Sequence, residues 1–403
     1  MPREVATDVL VLGAGPAGSA AATMIARNGL NVALVDRFEF PRDKVCGDAL
    51  IPDAINAIRC LGLEQTVTAE ARSLGGVRVY APNGAYVFLQ GRCASLPRRR
   101  LDQILRDHAI RAGAAFFAPY ELKRPCCTSR ITGAILQNRS SGEELKISAP
   151  ITVLATGAGI EGLNLFGVAD RRDPSAVALR AYFDAPPELW DRFDHLCISY
   201  DRSVAPGYGW IFPGPHGTFN VGVGRFFDHG TRSSSHNMAR LWKAFIERFE
   251  PARELVSNSR QASPLKGAPL RTAMAGSKLS KPGLLVIGEA AGMTYPFSGE
   301  GIGKAMASGI IAGELIARFR HERLPLAGTG AAYADRLGDE FGSRFNAYQS
   351  AQRWLKSPAF ANFLTWRANA GSFVKEQLEG LFNETTDPRT LFSVRGAVRS
   401  LLG

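Results

Sequence analysis

The chain has 403 residues, 45% of them hydrophobic and 21% charged, a composition typical of a folded protein with a sizeable core and not of a disordered chain. Its formal net charge of +11 favours an anionic small molecule or an acidic lipid surface as a partner. The basic residues form no nucleic-acid-binding motif, the six cysteines lack zinc or disulfide spacing, and no apolar run reaches the roughly 18 residues of a membrane span. We therefore expect no nucleic-acid partner and no metal, and a place in the cytoplasm or at the periphery of a membrane.

The N-terminal residues predict a β-α-β unit, with strands at Asp8–Leu12 and Asn31–Val35 and an Ala-rich helix at Ser19–Asn28. The turn Gly13–Gly18 between strand and helix matches G-x-G-x-x-G. In such a turn the first glycine permits the sharp bend, the second lets a pyrophosphate approach, and the third lets the helix pack on the strand. Asp36 follows the second strand and is placed to accept hydrogen bonds from a ribose. A dinucleotide site is therefore predicted.

The middle of the chain predicts further strands and helices. Gly75–Leu89 is typical of a β-hairpin, Arg100–Gly113 of a helix and Ile151–Ala155 of a buried strand. From about residue 176 to 225, β-like runs alternate with Pro and Gly turns and predict a separate antiparallel sheet, which includes Gly207–Pro213 and Thr218–Gly224.

A second Gly-rich element, Gly288–Ile302, indicates that the ligand is FAD and not NAD. It follows a short strand at Leu284–Gly288 and leads into a helix from about Gly301 to Phe319. FAD is long, so its ribityl chain and isoalloxazine ring need contacts far from the adenosine, and a polar residue and a helix N-terminus supply them. We therefore predict that the cofactor is FAD.

The predicted fold class is α/β: a Rossmann-type FAD-binding domain with an inserted antiparallel β-sheet substrate domain and a helical C-terminal region. The predicted FAD-binding domain is discontinuous and comprises residues 1–74, 96–172 and 276–320. Residues 75–95 and 173–275 are assigned to the substrate domain, and residues 321–403 to the basic helical region.

Four stretches resemble the geranylgeranyl reductase family of flavoproteins, within the superfamily that also holds aromatic hydroxylases and flavin-dependent halogenases. They are the Gly13–Gly18 fingerprint, Pro41–Gly47, which matches P-x-x-K-x-C-G, Tyr208–Pro213, which matches Y-x-W-x-F-P, and Gly288–Ile302. The resemblance extends over about residues 5 to 320, with Glu289 where the family usually has Asp. It implies that Arg98 contacts FAD and that the two motifs lie at the flavin and at an isoprenoid cavity.

The residues and the resemblance together predict the site. The catalytic residues are Cys46, Tyr208 and Trp210, with Cys46 as a candidate proton donor. Tyr208, Trp210 and Phe212 alternate along a strand, so they share one face and are expected to bind the substrate. The predicted cofactor-binding residues are Gly13, Gly15, Ala17, Gly18, Asp36, Arg37, Cys46, Gly47, Arg98, Gly288, Glu289, Pro296, Gly299, Gly301 and Ile302.

The resemblance implies reduction of C=C bonds in a polyprenyl group of a small-molecule or lipid substrate, by hydride transfer from reduced FAD. The sequence has no second dinucleotide fingerprint, so NADPH or another external reductant, such as a ferredoxin, is expected to deliver the electrons. The alternative is a flavin-dependent monooxygenase or halogenase acting on a carrier-bound or aromatic small molecule, although the halogenase signature W-x-W-x-I-P is absent. A third reading is a flavin protein that serves electron transfer or assembly without turnover.

Overall fold

The structure is a computed structural model, and it describes residues 3–170, 173–227, 237–296, 298–354, 357–393, 396 and 399–400. The strands are β1 (Arg3–Ala6), β2 (Val9–Leu12), β3 (Val32–Val35), β4 (Ala49–Leu50), β5 (Arg72–Tyr80), β6 (Tyr86–Ser95), β7 (Ala115–Phe117), β8 (Tyr120–Cys127), β9 (Ile131–Asn138), β10 (Glu144–Ser148), β11 (Ile151–Leu154), β12 (Ala176–Asp184), β13 (Leu196–Ser199), β14 (Gly207–Pro213), β15 (Thr218–Phe226), β16 (Arg260–Gln261), β17 (Lys266–Leu270), β18 (Ser280–Lys281) and β19 (Leu284–Val286). The α-helices are α1 (Pro16–Arg27), α2 (Pro52–Cys60), α3 (Glu64–Thr68), α4 (Arg98–Arg111), α5 (Ile160–Leu165), α6 (Met238–Arg248), α7 (Glu250–Ser257), α8 (Ile302–His321), α9 (Thr329–Leu337), α10 (Ser343–Trp354), α11 (Pro358–Ala370) and α12 (Ser372–Phe382).

A six-stranded sheet forms the nucleotide-binding part, in the order β18-β19-β11-β2-β3-β7. Five of these strands run parallel, and β18 joins the edge antiparallel to β19. The central strands β2, β3 and β11 are buried along their whole length, which explains their short, continuously apolar sequences. The predicted Rossmann-type sheet, built from separated segments of the chain, is confirmed.

Helices α1 and α8 bring the two Gly-rich turns together. A Cβ at Gly309 would collide with the carbonyl oxygen of Ala17, and one at Gly313 would lie 2.6 Å from Cβ of Met24. Gly288 packs in the same way, because its Cβ would lie 2.7 Å from Cβ of Ala17. Small residues at these positions allow the close approach, so the second Gly-rich turn lies against the fingerprint helix.

The inserted sheet has nine strands, in the order β16-β12-β15-β14-β13-β5-β6-β4, with β17 also paired to β12. The predicted hairpin is confirmed as β5 and β6. The predicted antiparallel sheet is confirmed at every pairing but one, that of β13, which runs parallel to β5. These two strands belong to separate insertions, and the long connection between them permits either direction.

Other elements differ from the sequence prediction in detail. Helix α1 begins at Pro16 and not at Ser19, since proline favours the first helical position after the Gly15 N-cap. The structure adds a four-stranded sheet, β1-β10-β9-β8, and helices α6 and α7, none of which was predicted. Strands β4 and β5 place residues 49–50 and 72–74 in the large sheet, although both segments were assigned to the FAD-binding domain.

The C-terminal part is helical, as predicted, from α9 to α12. Among the described residues, no helix combines the length and the apolar character that a membrane crossing requires.

Two glycines of β15 lie beside Trp210 of β14. Trp210 is the cross-strand partner of Gly222, and a Cβ at Gly222 would collide with its indole ring. A Cβ at Gly224, on the same face, would lie 3.7 Å from the indole, an ordinary contact distance. The absence of a side chain at Gly222 therefore lets the indole lie over β15.

We expect Gly222→Ala to lower the free energy of unfolding by about 1 to 3 kcal/mol, because the added methyl group overpacks the indole. The matched control is Gly224→Ala, which should change stability far less. Urea denaturation of the two variants measures the difference. Equal losses of unfolding free energy in the two variants would contradict the proposed packing of the indole over Gly222.

Candidate functional site

At two glycines of the fingerprint, other protein atoms occupy the space that a side chain would need. At the third glycine this space is open. Gly13 has φ +109°, and a Cβ there would collide with the carbonyl oxygen of Ala155. A Cβ at Gly18 would collide with the carbonyl oxygen of Gly13. At Gly15 the nearest atom to a Cβ would be Nη2 of Arg42, at 3.6 Å. The space at the second glycine therefore fits a pyrophosphate against the start of α1.

Two charged side chains flank this open position. The Arg42 guanidinium lies 3.1 Å from Asp102 Oδ2 and 3.7 Å from Asp36 Oδ1. The Asp36 carboxylate accepts the backbone N–H groups of Ala14, at 2.9 Å, and Phe38, at 3.0 Å. Each carboxylate oxygen keeps a lone pair for a ribose hydroxyl. The sequence prediction placed Asp36 in this site but did not include Arg42.

The side chain of the predicted neighbour Arg37 is largely exposed. It is 56% exposed and lies 3.7 Å from Glu161, and its guanidinium stands over the ring of Phe38. A role for Arg37 in cofactor binding stays a prediction.

The carboxylate of Asp48 joins three parts of the site. Its Oδ2 accepts hydrogen bonds from Tyr182 Oη at 2.6 Å and from Asn220 Nδ2 at 2.7 Å, and its Oδ1 accepts the N–H of Arg98 at 3.1 Å. Burial raises the pKa of Asp48 to about 6, although these hydrogen bonds oppose the shift. Asp48 adopts φ +69°, directly after the P-x-x-K-x-C-G loop. It therefore ties that loop to the large sheet and to helix α4.

Cys46 lies inside the same network. Its Sγ accepts the N–H of Asp48 at 3.4 Å, and its carbonyl oxygen accepts Asn220 Nδ2 at 2.7 Å. Burial raises the pKa of the Cys46 thiol, and the guanidinium of Arg98 offsets this shift only in part. Arg98 in turn donates to both oxygens of Asp102, at 2.7 and 2.9 Å. Cys46 is thus a protonated thiol at neutral pH, as the role of proton donor requires.

The three aromatic side chains of β14 form a row on one face of the large sheet. The ring centres of Tyr208 and Trp210 are 6.0 Å apart, and those of Trp210 and Phe212 are 6.2 Å apart. At one end of the row, a Cβ on Gly47 would lie 2.9 Å from the Phe212 ring. At the other end, a Cβ on Gly299 would lie 2.6 Å from the Tyr208 hydroxyl. The row therefore runs from the P-x-x-K-x-C-G loop to the second Gly-rich element.

The second Gly-rich element presents the start of α8. Gly288 and Gly299 have φ values of +63° and +67°, which glycine adopts most easily. Gly301 is the N-cap of α8 and provides no side-chain cap to the first N–H groups, which begin at Ile302. Uncapped N–H groups at a helix start fit negative charge on a ligand. Pro296 is buried in the turn before them.

Arg180 on β12 is a site residue that the sequence analysis missed. Its side chain is fully buried, and Nη2 donates to Asp43 Oδ1 at 2.5 Å and to the carbonyl oxygen of Lys44 at 3.3 Å. Lys44 Nζ lies 4.0 Å from Glu289 Oε2, and Glu289 Oε1 accepts the N–H of Arg271 at 3.4 Å. Arg180 thus holds the P-x-x-K-x-C-G loop against β12, and Lys44 connects this loop to the second Gly-rich element.

The comparisons with known proteins agree with this geometry. A protein family described as FAD binding domain matches residues 6–323. The chain belongs to this FAD-binding family. It is an FAD-dependent oxidoreductase, and its resemblance to the geranylgeranyl reductases is confirmed.

Two relatives and one solved structure are similar over most of the chain. The menaquinone reductase of Mycolicibacterium smegmatis is 31% identical over 77% of this chain and 76% of its own. Digeranylgeranylglycerophospholipid reductase 1 of Methanothermobacter thermautotrophicus is 28% identical over 86% of both chains. The crystal structure of a geranylgeranyl bacteriochlorophyll reductase-like protein from Thermoplasma acidophilum superposes with a TM-score of 0.78 at 20% identity, over 99% of this chain and 96% of that one.

We expect Gly15→Ala to weaken FAD binding by at least tenfold, about 1.4 kcal/mol, without lowering the stability of the apoprotein. The methyl group would enter the space kept for the pyrophosphate and would touch no backbone atom. Gly18→Ala is the contrasting variant and should destabilise the apoprotein itself. Titration with FAD and thermal unfolding separate the two effects, and unchanged FAD affinity in Gly15→Ala would contradict the proposed cradle.

We expect Tyr182→Phe to destabilise the protein by about 1.5 to 3 kcal/mol when Asp48 is ionised, the usual loss of a hydrogen bond to a charged group. The folded-state pKa of Asp48, about 6, lies above its usual value of 3.8, so Asp48 binds its proton more tightly when folded. The contribution of Asp48 to the free energy of unfolding therefore decreases as the pH rises from about 4 to 6.

Removing the Tyr182 donor raises the pKa of Asp48 further, so the variant should lose more stability at about pH 8 than at about pH 5. Denaturant unfolding at the two pH values measures this difference, with Tyr86→Phe on the exposed part of β6 as the control. The same loss at both pH values would show that Tyr182 does not stabilise the carboxylate.

Proposed function

We propose that this oxidoreductase reduces C=C bonds in the polyprenyl chain of a lipid or quinone. In this proposal FAD lies between the cradle at Gly15, the loop at residues 41–47 and the start of α8. The single observation that carries the proposal is the aromatic row of Tyr208, Trp210 and Phe212, which spans the distance between that loop and Gly299.

The row suits an extended apolar chain better than a compact polar substrate. The three rings form a continuous apolar wall, in which Trp210 and Phe212 are buried and Tyr208 is partly exposed, and the bare backbone at Gly222 makes room for the indole of Trp210. An isoprenoid has apolar contacts along its whole length and no polar group that needs a partner. Binding energy spread along the row would hold one alkene in position for reaction.

Two side chains, Tyr208 in the row and Cys46 in the neighbouring loop, hold protons at neutral pH. Burial raises the pKa of the Tyr208 hydroxyl above its usual range, and it also raises that of the Cys46 thiol. When bound and reduced, FAD supplies a hydride to one alkene carbon. In our proposal Cys46 Sγ gives its proton to the other carbon, so that two C–H bonds replace the π bond, and the thiolate recovers a proton from solvent.

The names of two relatives support the substrate class. One names menaquinone and the other a digeranylgeranyl glycerophospholipid, and both molecules carry isoprenoid chains. The electrons are proposed to come from NADPH or another external reductant. The formal net charge of +11 would favour contact with the anionic membrane surface in which such substrates reside.

The test is a single turnover without oxygen. The FAD-loaded protein is reduced with dithionite, mixed with menaquinone or a digeranylgeranyl glycerophospholipid, and followed by flavin reoxidation and product mass. After any quinol has been reoxidised to the quinone, a product whose prenyl chain is heavier by two hydrogens supports the proposal and identifies which substrate is used. No reoxidation by either compound, or an added oxygen or halogen when air and halide are supplied, would overturn it.

We expect Cys46→Ser to slow this single turnover by about 10² to 10⁴, the usual contribution of general acid catalysis. The hydroxyl is close to the thiol in size but is a much weaker acid. Cys60→Ser on the exposed end of α2 is the control and should react at the wild-type rate. An unchanged rate in Cys46→Ser would remove the thiol from the mechanism.

A further inference from the structure

A buried cluster of charged side chains lies behind the start of α8, outside the aromatic row. It consists of Asp53 from α2, Glu300 and Lys304 at the start of α8, and Glu384 after α12. Lys304 Nζ lies 3.1 Å from Asp53 Oδ2 and 2.6 and 2.7 Å from the two oxygens of Glu384. One oxygen from each of the three carboxyl groups lies within 4.8 Å of the others.

The cluster is packed away from solvent on several sides. The side chains of Lys304, Asp53 and Glu384 are 3%, 5% and 20% exposed. Lys304 Nζ also stands 4.9 Å from the centre of the Tyr295 ring. The Tyr295 hydroxyl is buried without a hydrogen-bond partner among the described residues. Charges in such a setting are poorly screened, so each acts over a longer distance than at the surface.

The charge balance of the cluster leaves one net negative charge. Burial, and next the Asp53 carboxylate, hold the pKa of Glu300 well above its usual range. Burial lowers the pKa of Lys304, but the three carboxyl groups outweigh it and keep the ammonium charged. The raised pKa favours the protonated, neutral form of Glu300; the Asp53 carboxylate then balances Lys304, 3.1 Å away, and Glu384 supplies the remaining charge.

The groups that face Glu300 come from several elements. They are Asp53 from α2, Lys304 from α8, Glu384 from the segment after α12, Tyr348 from α10, Tyr208 from β14, and Tyr295, and Arg344 of α10 interacts with Tyr295 and Tyr348. Arg344 also donates to the backbone carbonyl of Glu384, at 2.8 Å. Glu384 therefore has a fixed position beside Lys304.

The cluster lies directly behind the uncapped helix start. Glu300 immediately precedes the N-cap Gly301, and Lys304 is in the first turn of α8. Gly303 lacks a side chain, and a Cβ there would collide with Asp53 Oδ2, so Asp53 comes against the backbone of the same turn. The N–H groups of this turn are those that would face the flavin.

We propose that the net charge of this cluster sets the reduction potential of the bound FAD, with Glu384 of the C-terminal helical region supplying the negative charge and Glu300 as a neutral member. The proposal rests on the flavin position proposed above. Uptake of two electrons and one proton adds one negative charge to the flavin, and the charge of Glu384 disfavours that addition. In this proposal Glu384 does not touch the flavin. Its charge acts on the flavin at a distance, across the first turn of α8, so it is a positioning residue and not a catalytic one.

The midpoint potential of the full-length, FAD-loaded protein tests this proposal, measured at pH 7 against reference dyes and without substrate. Glu384→Gln removes one negative charge and should shift the potential to a more positive value. Glu300→Gln replaces one neutral group by another and should leave it unchanged. Glu376→Gln on the exposed face of α12 carries the same charge change at a screened surface position and is the matched control.

A potential of Glu384→Gln equal to that of the wild type would overturn the proposal, as would an equal shift in Glu300→Gln. If Glu384→Gln does not fold, Asp53→Asn combined with Glu300→Gln, which keeps position 300 neutral, removes one negative charge from the same cluster and should shift the potential in the same direction. Thermal unfolding and FAD titration show whether each variant is intact. Because the measurement contains no prenyl substrate, failure here is distinct from failure of the proposed reduction.

Discussion

The hydrogen bonds of one buried carboxylate, that of Asp48, hold the parts of the site together. Tyr182 and Asn220 reach it from the large sheet, and the N–H of Arg98 reaches it from α4. Asn220 extends the same network to the indole of Trp210, at 2.9 Å. The P-x-x-K-x-C-G loop is therefore fixed by the sheet that would bind the substrate, so the loop and the aromatic row are held in one arrangement.

A second constraint acts between the two Gly-rich turns. Glycines of α8 let it pack closely on α1, so the turn at Gly288 meets the helix of the fingerprint. A long cofactor needs this arrangement, because its pyrophosphate and its reacting ring lie far apart. The start of α8 has a second neighbour in the cluster around Lys304, where Glu384 brings the C-terminal helices into contact with it. The helical region after α8 thus packs against the start of α8 and also places the charged side chain of Glu384 there.

The sequence predicted those parts of the fold whose signal is local. The fingerprint at Gly13–Gly18, the alternation along β14 and the strand before Gly288 each carry a short pattern, and each lies where it was expected. Arg180 and Asp48 could not be predicted, because one charged residue in a strand or after a loop shows no partner until the chain folds. The pairing of β13 with β5 depends on two segments more than a hundred residues apart, which no local pattern links. The cluster of Asp53, Lys304 and Glu384 could not be predicted for the same reason, because its members lie far apart in the sequence.

The crystal structure of the FAD-loaded protein tests the central claim most directly. The account predicts the pyrophosphate at Gly15 beside Arg42, and the isoalloxazine ring between the loop at Cys46 and the start of α8, with one face toward Tyr208 and Trp210. A flavin ring bound away from the aromatic row, or a pyrophosphate that does not contact the fingerprint, would contradict it.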